Sequence, residues 1–144
     1  MAIFIGAVIT DLTDGMAARH HGRVTALGGL FDHSTDALFV SVNLTVLAAT
    51  GDLPLLLPVL IVGAFIQYTL DSRALAGQKL RMSKLGKYNG ITYFVLLGVT
   101  IARHLPPFEW IQGQLIHLFA WILVVTTLVS MFDRARALLK MRTK

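Results

Sequence analysis

The sequence predicts an all-α membrane bundle of about five transmembrane helices, on three observations. Of 144 residues, 55% are hydrophobic and only 15% are charged, against about 25% charged in an ordinary soluble domain; the mean hydropathy is +0.66. Four long apolar stretches follow the N-terminal segment, each approaching, with its flanks, the ~20 residues a helix needs to cross hydrocarbon. Twelve of the 13 basic residues fall on one side of those stretches. The same composition excludes disorder. The absence of cysteine excludes a disulfide framework, a thiolate metal site and a cysteine nucleophile. The length allows one domain, 1–144, and no repeat, low-complexity tract or linker divides it.

In chain order, Met1 to Ile9 is apolar but covers only half a bilayer at roughly 1.5 Å per residue, and then Asp11 arrives. It is too short for a secretory signal, lacks a basic start and has no small-residue cleavage site. A helix through Met1–Arg19, its outer part shielded by neighbours or truncated, fits better. The first long stretch runs from Leu38 to Ala49 and gains length if its helix begins near Gly28. The second covers Leu53 to Leu70, with Pro54 and Pro58 in its first turns, where the missing N–H has no intrahelical partner anyway. The third is Ile91 to Ala102 and the fourth Leu115 to Met131.

The net charge of +5 is distributed by topology. Arg19 and Arg23 precede the first stretch, Arg73, Lys79, Arg81, Lys84 and Lys87 lie between the second and third, and Arg134, Arg136, Lys140, Arg142 and Lys144 follow the fourth. Only Arg103 lies on the other side, near Thr50–Asp52 and Pro106–Trp110. Basic loops stay in the cytoplasm, and rings such as Phe108 and Trp110 settle at the opposite interface. The charge therefore marks orientation rather than nucleic acid, and attracts anionic headgroups besides.

The acids carry the chemistry. Of eight, Asp11, Asp14, Asp32 and Asp36 fall in the first 36 residues, on two segments that otherwise read as membrane helix. An aspartate at mid-bilayer costs roughly 2.5–3.5 kcal/mol on insertion scales, and four together repel one another. Either they are wet at the cytoplasmic interface, or a cation holds them. Spacing favours the cation. Asp11, Asp14, Gly15 and Ala18 share one helix face, and Gly28, Asp32 and Asp36 form a stripe on the next. Two facing helices then aim four carboxylates into one space, with glycines leaving room for a ligand. Hard divalent ions, Mg²⁺ foremost and Mn²⁺ as the other candidate, take carboxylate oxygen and bridge it to phosphate. Two of them would neutralise four aspartates and clamp both sides of a phosphoryl displacement.

Written out, the segment is Asp11-x-x-Asp14-Gly15-x-x-Ala18-Arg19, eight residues, then Gly28-x-x-x-Asp32-x-x-x-Asp36. It resembles the signature of the CDP-alcohol phosphatidyltransferase family at all eight positions. With each residue type at roughly 5–10% usage, a chance match at one start point is on the order of one in 10⁹. The resemblance implies an integral membrane enzyme that moves a phosphatidyl group from a CDP-linked lipid, usually CDP-diacylglycerol, to an alcohol and releases CMP. By position, it implies that Asp11, Asp14 and Asp32 bind metal. Asp36 shares the second ion and acts as general base, and Gly15, Ala18, Arg19 and Gly28 line the CDP site. It also implies a homodimer in the inner membrane, with the site at the cytoplasmic face.

Three departures stand beside the match. The helix that family members usually carry before the motif is missing from this sequence. Members using glycerol 3-phosphate have proline after the first motif aspartate of the pair and lysine after the second, where this chain has His33 and Ala37. Their Gly-Lys-x-Lys corresponds here to Gly86, Lys87, Tyr88 and Asn89. The acceptor is therefore open, with glycerol 3-phosphate one candidate and Lys87 the residue placed to bind its phosphate. Arg73, Arg81 and Lys84 could do the same, although cytoplasmic lysines and arginines are usually topology signals. His20, His21 and His33 are set aside as metal ligands because an oxygen-rich site does not need imidazole. His104 and His117 fall to the far side, for packing. A second reading is a non-catalytic or truncated member, or a cation-binding transport subunit; a transporter has no need of Gly15, Arg19 and Gly28 at these intervals.

Overall fold

A computed structural model of the chain describes Gly6, Thr10 and residues 26–71 and 84–142. Four helices fill these residues: α1 (Ala26–Ala49), α2 (Leu56–Asp71), α3 (Lys84–Ala102) and α4 (Gly113–Arg142). The fold is all-α, with no strand among the described residues. Gly6 and Thr10 are both helical, and the Thr10 hydroxyl donates to the Gly6 carbonyl at 2.8 Å, one turn back. The remainder of the expected Met1–Arg19 helix lies outside the described residues.

α1, α3 and α4 outlast the apolar runs that announced them, whereas α2, 16 residues long, is shorter than the run from Leu53 to Leu70. At 1.5 Å per residue, the 30 residues of α4 extend ~45 Å and the 24 of α1 ~36 Å. A hydrocarbon core is about 30 Å thick, so both helices are longer than a bilayer crossing requires. Among the described residues one span, Gly113–Ala137, is by itself long and apolar enough to cross a membrane, and Leu56–Leu70 is apolar but shorter. Pro58 falls inside the first turn of α2 as expected, whereas Pro54 precedes the helix. The Pro54 carbonyl instead accepts from the Leu57 N–H at 3.1 Å, a turn that leads the chain into α2.

α1 ends in a glycine cap. Gly51 takes a positive φ of 87°, which an L side chain rarely adopts. Its N–H donates to the Ala48 carbonyl, and the Asp52 N–H reaches back to the Leu47 carbonyl, both at 3.1 Å. This pair of bonds satisfies the last carbonyls of the helix and delivers Asp52 to a fixed place. There the Asp52 carboxylate accepts from Arg103 Nη1 at 2.8 Å and from the Thr50 hydroxyl at 3.1 Å, with His104 Nε2 also at 3.1 Å. His117 Nδ1 lies 3.4 Å from the Asp52 carbonyl. The turn between α1 and α2 is thereby tied to the end of α3 and the start of α4. All four helices are antiparallel to their chain neighbours across these two turns, and the lone basic residue of the far side is paired. Asp52→Ala is expected to destabilise the chain by about 1–2 kcal/mol, because it strands a mostly covered guanidinium. Gly113→Ala is expected to cost less: its Cβ would stand 2.7 Å from Arg103 Nη1, so the guanidinium must give way but keeps its partner. Thermal unfolding in detergent micelles, with both variants beside the parent, checks the order.

The packing contacts run α1 with α2, α2 with α4, α4 with α3, and more sparsely α3 with α1. The four helices therefore form a ring. Toward the Asp52 end the ring is solid: Leu44, Leu57, Leu96, Leu97, Ala120 and Leu123 are buried against one another. Toward the other end it is hollow. The outside is apolar, as with Val42 and Val46 on α1, Val59 and Ile66 on α2, and Val125 and Val129 on α4. Water would penalise such a surface, but lipid does not. Polar groups turn inward instead. The Tyr93 and Thr127 hydroxyls bond α3 to α4, and Gln67 Nε2 bonds α2 to the Met131 carbonyl of α4 at 2.9 Å, the kind of interhelical bond that holds membrane bundles together.

Candidate functional site

The hollow end of the ring holds a cavity of about 740 Å³ lined by all four helices. Its walls come from the N-terminal halves of α1 and α3 and the C-terminal halves of α2 and α4, which the antiparallel arrangement brings to one end. The inner wall is apolar, with Val40, Ile61 and Val95, and with Phe39 stacked on Phe94 at 6.3 Å between ring centres. The outer wall is polar: His33 and Asp36 from α1, Gln67 and Tyr68 from α2, Lys87 and Asn89 from α3, and Arg134 from α4. A cavity with a charged mouth and an oily depth suits an amphiphile, with its headgroup outermost.

The carboxylates owe their place to helix geometry. Asp32 and Asp36 stand one turn apart on α1, so their side chains share a face. Between them, the Ser34 hydroxyl donates to the Leu30 carbonyl at 2.7 Å and the Thr35 hydroxyl to Phe31 at 3.0 Å. These hydroxyls serve their own helix and leave the acids to act outward. One ligand atom each from Asp32, His33 and Asp36 lies within 4.8 Å of the others. Asp36 and His33 are half-buried and border the cavity, while Asp32 is exposed beside them. Two carboxylates one turn apart, open to the headgroup end, suit a hard divalent cation in donor type.

A stack of three side chains crosses the mouth. The His33 ring meets Tyr68 edge-on, 5.8 Å between centres at 77°, and Arg134 Cζ lies 4.7 Å from the centre of the Tyr68 ring. The phenol face attracts the guanidinium, so Tyr68 holds a positive charge at the same end as Asp36. Asn89 is 5% exposed, and its Nδ2 makes no well-formed hydrogen bond, although the Tyr93 hydroxyl lies near its side chain. A buried donor without a well-formed bond is costly, and a polar group entering the cavity would complete it.

Of the residues singled out from the sequence, Asp36 and Lys87 border the cavity and Asp32 adjoins Asp36. Gly28 is exposed near the start of α1, away from the cavity wall. Asp11, Asp14, Gly15, Ala18 and Arg19 lie outside the described residues, as do His20, His21, Arg73 and Arg81. Sequence reasoning missed Tyr68, Gln67 and Arg134, and it read Asn89 only as a departure. A signal was available for Arg134. Thr127, Ser130 and Arg134 recur at helical spacing on one stripe of an otherwise apolar α4, and a polar stripe of that kind faces something other than lipid.

Comparisons with known proteins give the family. A family model described as CDP-alcohol phosphatidyltransferase matches residues 1–132. A CDP-diacylglycerol–glycerol-3-phosphate 3-phosphatidyltransferase of Bacillus subtilis (strain 168) is 29% identical over 130 residues, covering 89% of this chain and 67% of the relative. Probable phosphatidylglycerophosphate synthases of Mycobacterium tuberculosis, strains CDC 1551 / Oshkosh and ATCC 25618 / H37Rv, are each 42% identical over 60 residues, 42% of this chain and 29% of theirs. The chain thus spans about two thirds of the Bacillus relative and under a third of the mycobacterial ones within the aligned regions. No solved structure matches it.

Proposed function

This chain belongs to the CDP-alcohol phosphatidyltransferase family of membrane enzymes, and on that premise we propose that it transfers a phosphatidyl group from CDP-diacylglycerol to glycerol 3-phosphate and releases CMP. The observation that carries the reading is Asp36, a carboxylate at the polar mouth of a cavity whose depth is apolar. Such a cavity admits a lipid from the bilayer and a soluble alcohol from water at the same point. Glycerol 3-phosphate is the acceptor named for the Bacillus relative, and the cationic side chains Lys87 and Arg134 at the mouth match its phosphate.

In this reading the acceptor hydroxyl attacks the lipid-side phosphorus of the diphosphate in line with the bond to CMP. A new oxygen–phosphorus bond forms, the bond to the bridging oxygen breaks, and CMP leaves with that oxygen and the bonding electrons. The hydroxyl proton passes to the Asp36 carboxylate, the general base. Lys87 holds the acceptor phosphate. Arg19 pairs with the diphosphate, while Gly15, Ala18 and Gly28 leave room for the cytidine beside the helix backbone. The family uses divalent metal. Asp11, Asp14, Asp32 and Asp36 are the residues assigned to hold it, as two ions of Mg²⁺ or Mn²⁺, the latter pair being supported by their nearness on α1. When bound, such ions supply positive charge to the diphosphate and to the leaving oxygen.

The wider assignment follows the charges. Lys84, Lys87, Arg134 and Arg136 all belong to the cavity end of the bundle, and the tendency of basic segments to stay inside supports assigning that end to the cytoplasmic face of the inner membrane. With the segment through Arg19 as a fifth span, the chain forms a five-helix unit that pairs as a homodimer.

The test is to incubate the purified chain in mixed micelles with radiolabelled CDP-diacylglycerol, Mg²⁺ and a panel of alcohols, following CMP. Glycerol 3-phosphate is expected to raise CMP well above the acceptor-free rate. Lys87→Ala is expected to raise its KM by about tenfold, the loss of one charge-assisted hydrogen bond, with kcat little changed. CMP formation with no acceptor in the panel would remove the transferase reading; formation with another alcohol alone would replace the acceptor.

A further inference from the structure

We propose that His33 adds an imidazole nitrogen to the Asp32–Asp36 oxygen pair, so that this chain takes a hard transition-metal ion such as Mn²⁺ in preference to Mg²⁺. The inference rests on the metal-dependent reading above and deepens it by naming the donor set. Oxygen alone is what the spacing of the acids offers, and on that ground the sequence sets His33 aside. The structure places it differently. A ring nitrogen of His33 and carboxylate oxygens of Asp32 and Asp36 all lie within 4.8 Å of one another. Cis ligands of an ion bound at about 2.1 Å stand roughly 3.0 Å apart, and side-chain rotation within one helix turn can draw donors this close onto one ion.

His33 is also held rather than loose. Its ring lies edge-on to Tyr68, a buried side chain of α2, and Tyr68 in turn lies under Arg134 of α4. Rotamer freedom at His33 is therefore restricted before any ion arrives, which lowers the entropy lost on ligation. An independent observation points to a polar ligand in the same cavity. Asn89, 5% exposed, lines it with an amide nitrogen that makes no well-formed hydrogen bond, with the Tyr93 hydroxyl near its side chain. That nitrogen is a donor and suits a ligand's oxygen rather than an ion, which leaves the ion to the acids and the imidazole.

Chemistry sets the preference. Mg²⁺ demands near-ideal octahedral oxygen and gives up water reluctantly. Imidazole is a ligand for transition metals, whose affinity for mixed nitrogen and oxygen sites exceeds that of the purely hard ions. Mn²⁺ keeps an appetite for carboxylate and phosphate while accepting the nitrogen.

The experiment uses the full chain in lipid nanodiscs, with Mn²⁺ as the probe and no substrate. Electron spin-echo modulation from a coordinated ¹⁴N is expected for the parent chain and is expected to vanish in His33→Gln. In the same variant, the Mg²⁺ needed to displace half of the Mn²⁺ is expected to fall about tenfold, the lower end of what a perturbed metal shell loses. His33→Phe keeps a ring against Tyr68 but carries no nitrogen. It is expected to keep the parent's thermal stability and still lose the modulation, which separates ligation from packing. Bound Mn²⁺ without ¹⁴N modulation, or modulation that persists in both variants, overturns the role of His33 and leaves the transferase reading standing. Failure of Mn²⁺ to bind at all overturns both.

Discussion

Asp36→Asn is expected to lower the rate of CMP release by about 10³-fold while leaving CDP-diacylglycerol binding within a few-fold of the parent. The amide has the size of the carboxylate and cannot take a proton from the acceptor hydroxyl, and loss of a positioned base costs roughly 10²–10⁴-fold. Folding is not at stake, because Asp36 is half-exposed at the wall of a cavity and belongs to no packed core. Asp32→Asn supplies the contrast. Asp32 is exposed beside Asp36 and has only a metal role in this scheme. Its variant is expected to recover much of its activity as Mg²⁺ or Mn²⁺ is raised, whereas Asp36→Asn is not. Steady-state CMP release across a metal titration distinguishes the two, with filter binding of labelled donor as the control. Unchanged CMP release in Asp36→Asn would remove Asp36 from the chemistry.

Much of this arrangement is legible in the amino-acid sequence, and the parts that are not share a cause. The apolar run from Leu115 to Met131 announces α4, because hydrocarbon imposes a length on any helix within it. It does not announce that α4 continues to Arg142. Backbone hydrogen bonding carries a helix on into water, where apolar content stops being informative, and α3 reaching back to Lys84 is the same effect. Pro54 shows the converse: proline is admissible in a first turn and equally in the turn before it, and only the chain's path chooses. The one-turn spacing of Asp32 and Asp36 settles that they share a face, since that follows from the helix alone.

What they meet does not follow from one helix. The ring order α1, α2, α4, α3 brings Arg134 over Tyr68 and Tyr68 against His33, from three helices distant in sequence. The far side is similar. Arg103 and Asp52 are visibly the odd charges there, but their 2.8 Å ion pair depends on the Gly51 cap delivering Asp52 to α3. For Asp11, Asp14, Gly15, Ala18 and Arg19, the sequence match to the family remains the argument, as these residues lie outside the described part of the chain.

Metal removal is the second large effect and bears on the claim from which everything else proceeds. Four aspartates gathered at the rim of the bundle, as proposed, would repel one another and resist desolvation, and a diphosphate brought among them would add more negative charge. Without cations, both the assembled site and the displacement at phosphorus lose their electrostatic support, which is worth several kcal/mol and so on the order of 10³-fold or more in rate. The most direct measurement is CMP release from CDP-diacylglycerol by the purified chain as free divalent cation is varied. The expected result is no measurable release in excess chelator and full recovery on adding back Mg²⁺ or Mn²⁺. Recovery should fail in a chain carrying Asp11→Asn, Asp14→Asn and Asp32→Asn together. Release at the parent rate in excess chelator would contradict the account.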